Sequence, residues 1–241
     1  MTQFIDTHVH LQDFKPDFAP RVIRSVSVKK LVLISAAVDD FEKIATLVKA
    51  HPRKLCAAFG IHPWYWRDVA ALELLKKKLQ QFPKALVGEI GVDELREPVN
   101  PGQHELFSAQ LEIAKKLSRP VVVHAAKAFK ALVEHEQELK QVKYVHHGFV
   151  KNNELLKFIN RTDGYIGLGE LFLRQEKARQ MWANMPKERI LFETDAPYRM
   201  KDENYLKEVQ NNLARLAEIA GMDKEELAYQ LNTNAQRFLQ V

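Results

Sequence analysis

Cysteine is nearly absent: Cys56 is the only one in 241 residues, so no intrachain disulfide can form and the thiolate-rich ligand sets of structural zinc sites are excluded. No apolar run approaches the roughly 20 residues that a membrane-spanning helix needs. The first residues, Met1-Thr2-Gln3-Phe4-Ile5-Asp6, have neither the basic nor the apolar stretch of a secretory leader. These absences predict a protein of the reducing cytoplasm with no membrane partner. Linkers rich in Pro, Gly or Ser, low-complexity tracts and internal repeats are also missing, so residues 1–241 are read as one domain, and as a monomer. Nor is there a basic tail. The 36 Lys and Arg against 31 Asp and Glu give a net charge of +5 spread along the chain, which permits a polyanionic partner without requiring one. Lys76-Lys77-Lys78, the densest basic run, falls in an amphipathic helical pattern and is read as a solvated face.

What is present is ample apolar material, 46% of residues, for a sizeable core. Short apolar and β-branched runs over 3–8, 30–36, 55–61, 85–91, 120–125, 144–148, 164–169 and 189–195 read as strands. Between them, Phe41 to Ala50, Leu72 to Phe82, Glu105 to Leu117 and Phe129 to Leu139 carry apolar residues at helical spacing. Two more helices, over 204–220 and 223–239, close the chain. Strands alternating with helices imply parallel strands and right-handed crossovers, and hence either a closed (β/α)8 barrel or an open doubly wound sheet. Cys56 falls inside the third strand and reads as a buried residue, not a reactive one.

The chemistry gathers at strand ends. His8 and His10 stand two apart, so alternation turns both imidazoles to one face and Thr7 to the other. Glu89 interrupts the apolar run Ala85-Leu86-Val87-Gly88-Glu89-Ile90-Gly91, between glycines that allow close backbone approach. Pro120-Val121-Val122-Val123-His124 and Tyr144-Val145-His146-His147 end in imidazole, and Ile190-Leu191-Phe192-Glu193-Thr194-Asp195 ends in carboxylates. Burying a carboxylate without a partner is costly, so apolar strands that repeatedly finish in these residues need a common partner, and a divalent cation supplies one. The ligands come from strands one, four, five, six and eight. Only a closed barrel brings the carboxyl ends of the first and last strands beside the middle ones, so the ligand set selects the barrel. Four histidines and two carboxylates without a thiolate match catalytic zinc, manganese or iron sites.

In this order the segments Phe4-Ile5-Asp6-Thr7-His8-Val9-His10-Leu11, Gly60-Ile61-His62-Pro63, Gly88-Glu89-Ile90-Gly91-Val92-Asp93, Pro120-Val121-Val122-Val123-His124, His147-Gly148-Phe149 and Glu193-Thr194-Asp195-Ala196-Pro197-Tyr198 resemble the TatD family of metal-dependent deoxyribonucleases, within the amidohydrolase-like barrels. The resemblance spans nearly the whole chain. It implies a (β/α)8 TIM barrel in which His8, His10, Glu89 and Asp195 bind one divalent ion (zinc, manganese or magnesium) and Glu89 bridges to a second held by His124 and His147, with one or both ions present. It favours His147 over its neighbour His146, which would face the helices, and it implies DNA as substrate. Three segments depart from the family pattern. An arginine usually follows shortly after the fifth-strand histidine, where this chain has Ala125-Ala126-Lys127-Ala128; Gly148-Phe149-Val150-Lys151 replaces Cys-Phe-Ser-Gly; and the basic loop after the last strand is shortened to Arg199-Met200-Lys201-Asp202-Glu203-Asn204. All three concern substrate contacts, because arginine is the usual bidentate phosphate clamp and lysine is not its equivalent.

His62 is read as a substrate contact, with a hydrogen-bonded loop histidine as the alternative. Lys127, Arg174, Arg199 and Lys201 are candidate phosphate contacts, Lys127 and Arg199 foremost. Trp64-Tyr65-Trp66 either packs the rim or stacks bases. Asp93 and Glu193 resemble family positions too, and orienting the metal ligands is the more economical role for both. The expected reaction is phosphodiester hydrolysis, in which Asp195 accepts the proton of the attacking water and Glu89 acts with it. One rival keeps the ions and changes the substrate to a small ester, lactone or cyclic amide. The other is an inactive barrel that binds nucleic acid or protein.

Overall fold

A computed structural model describes residues 1–67, 70–96, 100–150, 152–200 and 202–240. In it the apolar runs pair in chain order as parallel strands: β1 (Phe4–Val9), β2 (Val28–Ile34), β3 (Leu55–Phe59), β4 (Leu86–Asp93), β5 (Val121–Ala126), β6 (Tyr144–His146), β7 (Tyr165–Leu168) and β8 (Ile190–Phe192). The ring closes just beyond β8. Val9 bridges Ala196, the Asp195 amide donates to the His8 carbonyl at 2.9 Å, and the His10 amide donates to the Ala196 carbonyl at 2.8 Å. Asp6 fastens this seam from within, where its carboxylate accepts hydrogen bonds from the His8 amide, the Thr194 amide, the Thr194 hydroxyl and the Tyr205 hydroxyl. The architecture is a closed (β/α)8 barrel, and the open-sheet alternative is excluded.

The surrounding helices are α1 (Ala19–Arg24), α2 (Asp40–Ala50), α3 (Ala71–Gln81), α4 (Pro101–Lys116), α5 (Phe129–Glu134), α6 (Glu136–Leu139), α7 (Asn153–Arg161), α8 (Glu170–Leu173), α9 (Ala178–Asn184), α10 (Tyr205–Ala220) and α11 (Lys224–Leu239). Among the described residues no helix is long and apolar enough to cross a membrane. The helical run expected over Phe129 to Leu139 breaks at His135, which leaves helical geometry at φ −97°, ψ 17°. Two local readings also change. Lys78 is buried against Glu42, its Nζ 2.5 Å from Oε1, instead of lying on a solvated face. Cys56 is only half-buried.

Two apolar layers hold the barrel together. Ile5, Val32, Ala58, Leu86, Val122, Val145, Tyr165 and Leu191, from successive strands, pack with Ala235, Phe238 and Leu239 of α11. This cluster fills the barrel interior and plugs its amino-terminal mouth, so the axis is a packed core and the open end is the carboxyl-terminal one. The side chains between them face outward to the helices in a second, larger cluster.

Strand parity then decides what reaches the open end. On β5, β6 and β8 the inward residues Val122, Val145 and Leu191 are followed two positions later by His124, His147 and Glu193, so alternation alone aims these side chains inward. On β1 and β4 the parity does not match: Ile5 and Leu86 face inward, yet so do His8 and Glu89. The ladder shows why. Its register shifts between Asp6 and Val9 on β1 and between Val87 and Ile90 on β4, and such irregularities re-aim side chains at barrel rims.

At Gly91, φ is +149° and a Cβ would stand 1.9 Å from the His124 carbonyl oxygen. Only glycine lets β4 approach β5 this closely. Gly91→Ala is therefore expected to lower stability by about 2–4 kcal/mol, read as a shift in the urea midpoint; a shift near zero would contradict this packing.

Candidate metal centre

At the carboxyl-terminal mouth, His8, His10 and Glu89 are buried and Asp195 is partly so. The His8 Nε2 lies 3.6 Å from Glu89 Oε2 and 3.9 Å from Asp195 Oδ1. The His10 Nε2 lies 3.5 Å from Asp195 Oδ1, and the His147 Nε2 lies 3.7 Å from Glu89 Oε1 and 4.0 Å from Asp195 Oδ2. These separations are too long for good hydrogen bonds. They approach the roughly 3.0–3.5 Å expected between two donors that share one ion at about 2.1 Å. Both ring nitrogens of His8, like those of His146, are buried without a hydrogen-bond partner, a costly state that an ion at the His8 Nε2, the nitrogen facing Glu89 and Asp195, would relieve in part. The residues present thus fit a divalent metal.

Three donor sets bring their atoms within 4.8 Å of one another: His8 with Glu89 and His147, His8 with His10 and Asp195, and His62 with Asp93 and His124. Glu89, a member of the first set, touches residues of all three. Its Oε2 faces His8, while its Oε1 faces His147 and the His124 Nδ1, the latter at 2.7 Å. Its two oxygens thus join His8 on one side of the cluster to His124 and His147 on the other.

An outer carboxylate stands behind each of two imidazoles. The His124 Nε2 lies 3.0 Å from Asp93 Oδ2, and the His147 Nδ1 lies 3.2 Å from Glu193 Oε1. Each carboxylate is itself fixed: Asp93 accepts from the Trp64 indole N–H at 2.8 Å, and Glu193 accepts from the Gly148 amide at 2.6 Å. Such carboxylate–imidazole pairs set ring orientation and raise ligand basicity. Asp93→Asn and Glu193→Gln are accordingly expected to weaken metal binding by about 10–100-fold, read by chelator competition; unchanged affinity in both would remove that role.

The electrostatics follow the same contacts. Burial opposes charge on His124 and His147, but Glu89 with Asp93 raises the first to about 9, and Glu193 with Glu89 raises the second to about 10. Burial also opposes charge on Asp195, yet His10, His147 and His8 hold it down to about 2. Burial, assisted by His147, drives His8 well below the usual imidazole range. His62 is pushed down to about 3 by burial, so it is neutral at pH 7. Its Nδ1 accepts the Trp64 amide N–H at 3.2 Å, which leaves the proton on Nε2 and makes that nitrogen a donor.

A cleft of about 430 Å³ opens above the cluster, and His10, His62, Glu89, His124, His147 and Asp195 all contribute to its lining. The structure thus brings together the six predicted ligands and His62. His146 stays outside, with its ring edge-on to Phe149 at 6.2 Å. Arg199 also lines the cleft, its Nε 3.5 Å from Asp195 Oδ2. Lys127 is exposed beyond β5, in left-handed geometry at φ 52°, and does not line the cleft. Arg174 is exposed and pairs with Glu170, and Lys201 lies outside the described residues. The strand expected to reach Asp195 ends at Phe192, where Thr194 turns to Asp6, and Asp195 takes φ 56°, a left-handed geometry that Asp tolerates better than most residues. The Asp6 seam and the Trp64–Asp93 bond leave no signal in the sequence, since both join residues distant along the chain.

Comparison with known proteins agrees with this geometry. The sequence pattern of the family described as TatD related DNase matches residues 5–240. YjjV of Escherichia coli, an uncharacterized metal-dependent hydrolase, is 30% identical over 210 residues, which cover 81% of this chain and 80% of that protein. The crystal structure of YjjV superposes with a TM-score of 0.85 at 27% identity, covering 99% of this chain and 98% of that one. The human 3'-5' RNA nuclease TATDN2 is 32% identical over 222 residues, covering 81% of this chain and 28% of that protein.

Proposed function

The chain belongs to the TatD-related DNase family of metal-dependent hydrolases, and on that premise we propose that it hydrolyses phosphodiester bonds of single-stranded DNA. The observation that carries the metal dependence is the buried set of imidazole and carboxylate donors spaced for shared ions and not for hydrogen bonds. We assign one ion to His8, His10, Glu89 and Asp195, and a second to Glu89, His124 and His147. A divalent ion held by these residues would supply Lewis acidity and lower the pKa of water. Asp195, ionised near the mouth of the cleft, accepts the proton of the attacking water. The His62 Nε2–H donates to a substrate oxygen, and Arg199, beside Asp195, meets the negative charge of the phosphodiester. Asp93 and Glu193 hold the two imidazoles in place.

The names of the relatives support a nucleic-acid substrate: one is a family of DNases and another an RNA nuclease. One observation favours a small carboxylic ester or lactone instead, because Lys127, which occupies the segment of the usual arginine, does not line the cleft. Parallel assays on bis(4-nitrophenyl) phosphate and 4-nitrophenyl butyrate separate the readings. Preference for the phosphodiester supports the proposal, and hydrolysis of the carboxylic ester alone rejects it. We infer a cytoplasmic site of action, supported by the lone, unpaired Cys56.

A further inference from the structure

The two mouths of the barrel differ in charge. Glu89, Asp93 and Asp195 line the metal cleft at the carboxyl-terminal mouth. At the amino-terminal mouth the chain around β2, β3 and β4 is free of acids, since residues 18–38, 43–67 and 74–88 contain neither Asp nor Glu. Where these segments run into their strands they carry Arg24, Lys30, Lys49, Arg53, Lys54 and Lys84. Helix α11 is moored on the other side of this mouth: the Asn232 Oδ1 accepts from the Ile5 amide of β1 at 2.7 Å, and the Asn234 Nδ2 donates to the Ile190 carbonyl of β8 at 2.9 Å. On the β2–β4 side a hollow of about 330 Å³ indents the surface. Its walls include Pro52, Leu55, Phe82 and Pro83, and Lys30, Lys49 and Lys84 stand around them.

The charge of these cations is left uncompensated. Among the described residues none of the six has a carboxylate within 4.0 Å. Their heads meet neutral groups instead: the Lys30 Nζ donates to the Arg53 carbonyl at 3.2 Å, the Lys54 Nζ donates to the Ser25 carbonyl at 2.6 Å, and the Lys49 Nζ lies 5.6 Å from the centroid of the Phe82 ring. A carbonyl satisfies a donor without cancelling its charge. The carboxyl-terminal ends of α1, α2 and α3 also reach this mouth, but at about half a negative charge each they offset fewer than two of the six cations. Elsewhere on the surface cations are neutralised by neighbours, as Lys76 is by Glu73 and Lys140 and Arg161 are by Glu136. Uncompensated cations around an apolar hollow suit a partner that alternates negative and apolar parts over a short distance. A single nucleic-acid strand is built that way, with a phosphate on every nucleotide and an unpaired base beside it. A duplex hides its bases.

We propose that the amino-terminal face around the ends of β2, β3 and β4 is a second nucleic-acid surface: the backbone of single-stranded DNA runs along Lys30, Lys49, Arg53 and Lys84, and one base enters the hollow against Phe82. The surface stands at the mouth opposite the metal ligands, so it holds a strand without cutting it. The choice of DNA as the partner rests on the phosphodiesterase reading, whereas the surface itself does not require hydrolysis.

The test is equilibrium binding of a 5'-labelled decathymidylate to metal-stripped full-length protein by fluorescence anisotropy. Arg53→Gln combined with Lys84→Gln changes two exposed side chains. The pair should weaken binding at least five-fold and make the slope of log K against log salt shallower by about 1.4, the loss of two phosphate contacts. Unchanged thermal midpoints verify that the variant folds, and the single variants serve where the double one does not. Cys56 reports where the strand lies, because this half-buried thiol is the only one in the chain and lines the same hollow. Saturating decathymidylate should slow its alkylation by iodoacetamide at least five-fold, read by mass spectrometry. Wild-type affinity and salt slope in the variants overturn the surface, and so does alkylation that a bound strand leaves unchanged. A duplex of the same length that binds as tightly as the single strand overturns it as well. Hydrolysis of bis(4-nitrophenyl) phosphate by metal-loaded wild-type protein reads the underlying function separately, so its failure is distinguishable from failure of the surface.

Discussion

Asp195→Asn leaves the barrel folded and lowers turnover by roughly 10³-fold, about 4 kcal/mol of transition-state stabilisation. Asparagine keeps the size of the side chain and tolerates the left-handed backbone at this position, so the seam formed by the Asp195 amide and the His8 carbonyl persists. What is lost is the ionised oxygen pair that faces His10 and His147 and is held down to about 2. The amide cannot accept the proton of water. Measured at saturating metal, a fall in kcat with an unchanged thermal midpoint is the expected pattern. Near-normal kcat would remove Asp195 from the reaction.

Glu89→Gln should have an equally large effect for a different reason. Because Oε1 and Oε2 face separate imidazoles, one substitution weakens both proposed ion sites at once, whereas His10→Ala touches one. Metal content after dialysis is expected to fall below one ion per chain in Glu89→Gln, with activity lost accordingly. Retention of two ions would show that Glu89 does not bridge. Metal uptake should also release protons. Against the opposing effect of burial, carboxylates raise the metal-free His124 and His147 to about 9 and about 10, so both imidazoles are charged at pH 7 and an ion must displace those protons. Affinity should therefore rise with pH from 6 to 9, and titration calorimetry in buffers of different ionisation heat should detect the released protons. An affinity independent of pH over that range would contradict this.

Much of this centre was legible in the sequence because three strands keep their parity. Val122 to His124, Val145 to His147 and Leu191 to Glu193 step by two from an inward core residue to an inward polar one, and the same count places His146 outside. On β1 and β4 the pairing of His8 with His10 was readable, but their alignment with Ile5 was not, nor was that of Glu89 with Leu86. Register shifts in the ladder depend on the neighbouring strand and leave no local pattern. Helix ends were misplaced where tertiary contacts override periodicity, as at His135. Lys78 looked solvated because its partner, Glu42, lies 36 residues away. The amino-terminal mouth was least legible. Lys30, Lys49 and Lys84 carry no motif, and only the fold brings them to one hollow.

The decisive measurement is cleavage of end-labelled single-stranded DNA by metal-stripped protein after magnesium, manganese or zinc is restored separately, with Asp195→Asn protein as control. Cleavage that returns with an ion and is absent from the variant is the predicted result, and the ion that restores it identifies the metal. Metal uptake without cleavage by any of the three would contradict the phosphodiesterase proposal and move the substrate to carboxylic esters, lactones and cyclic amides.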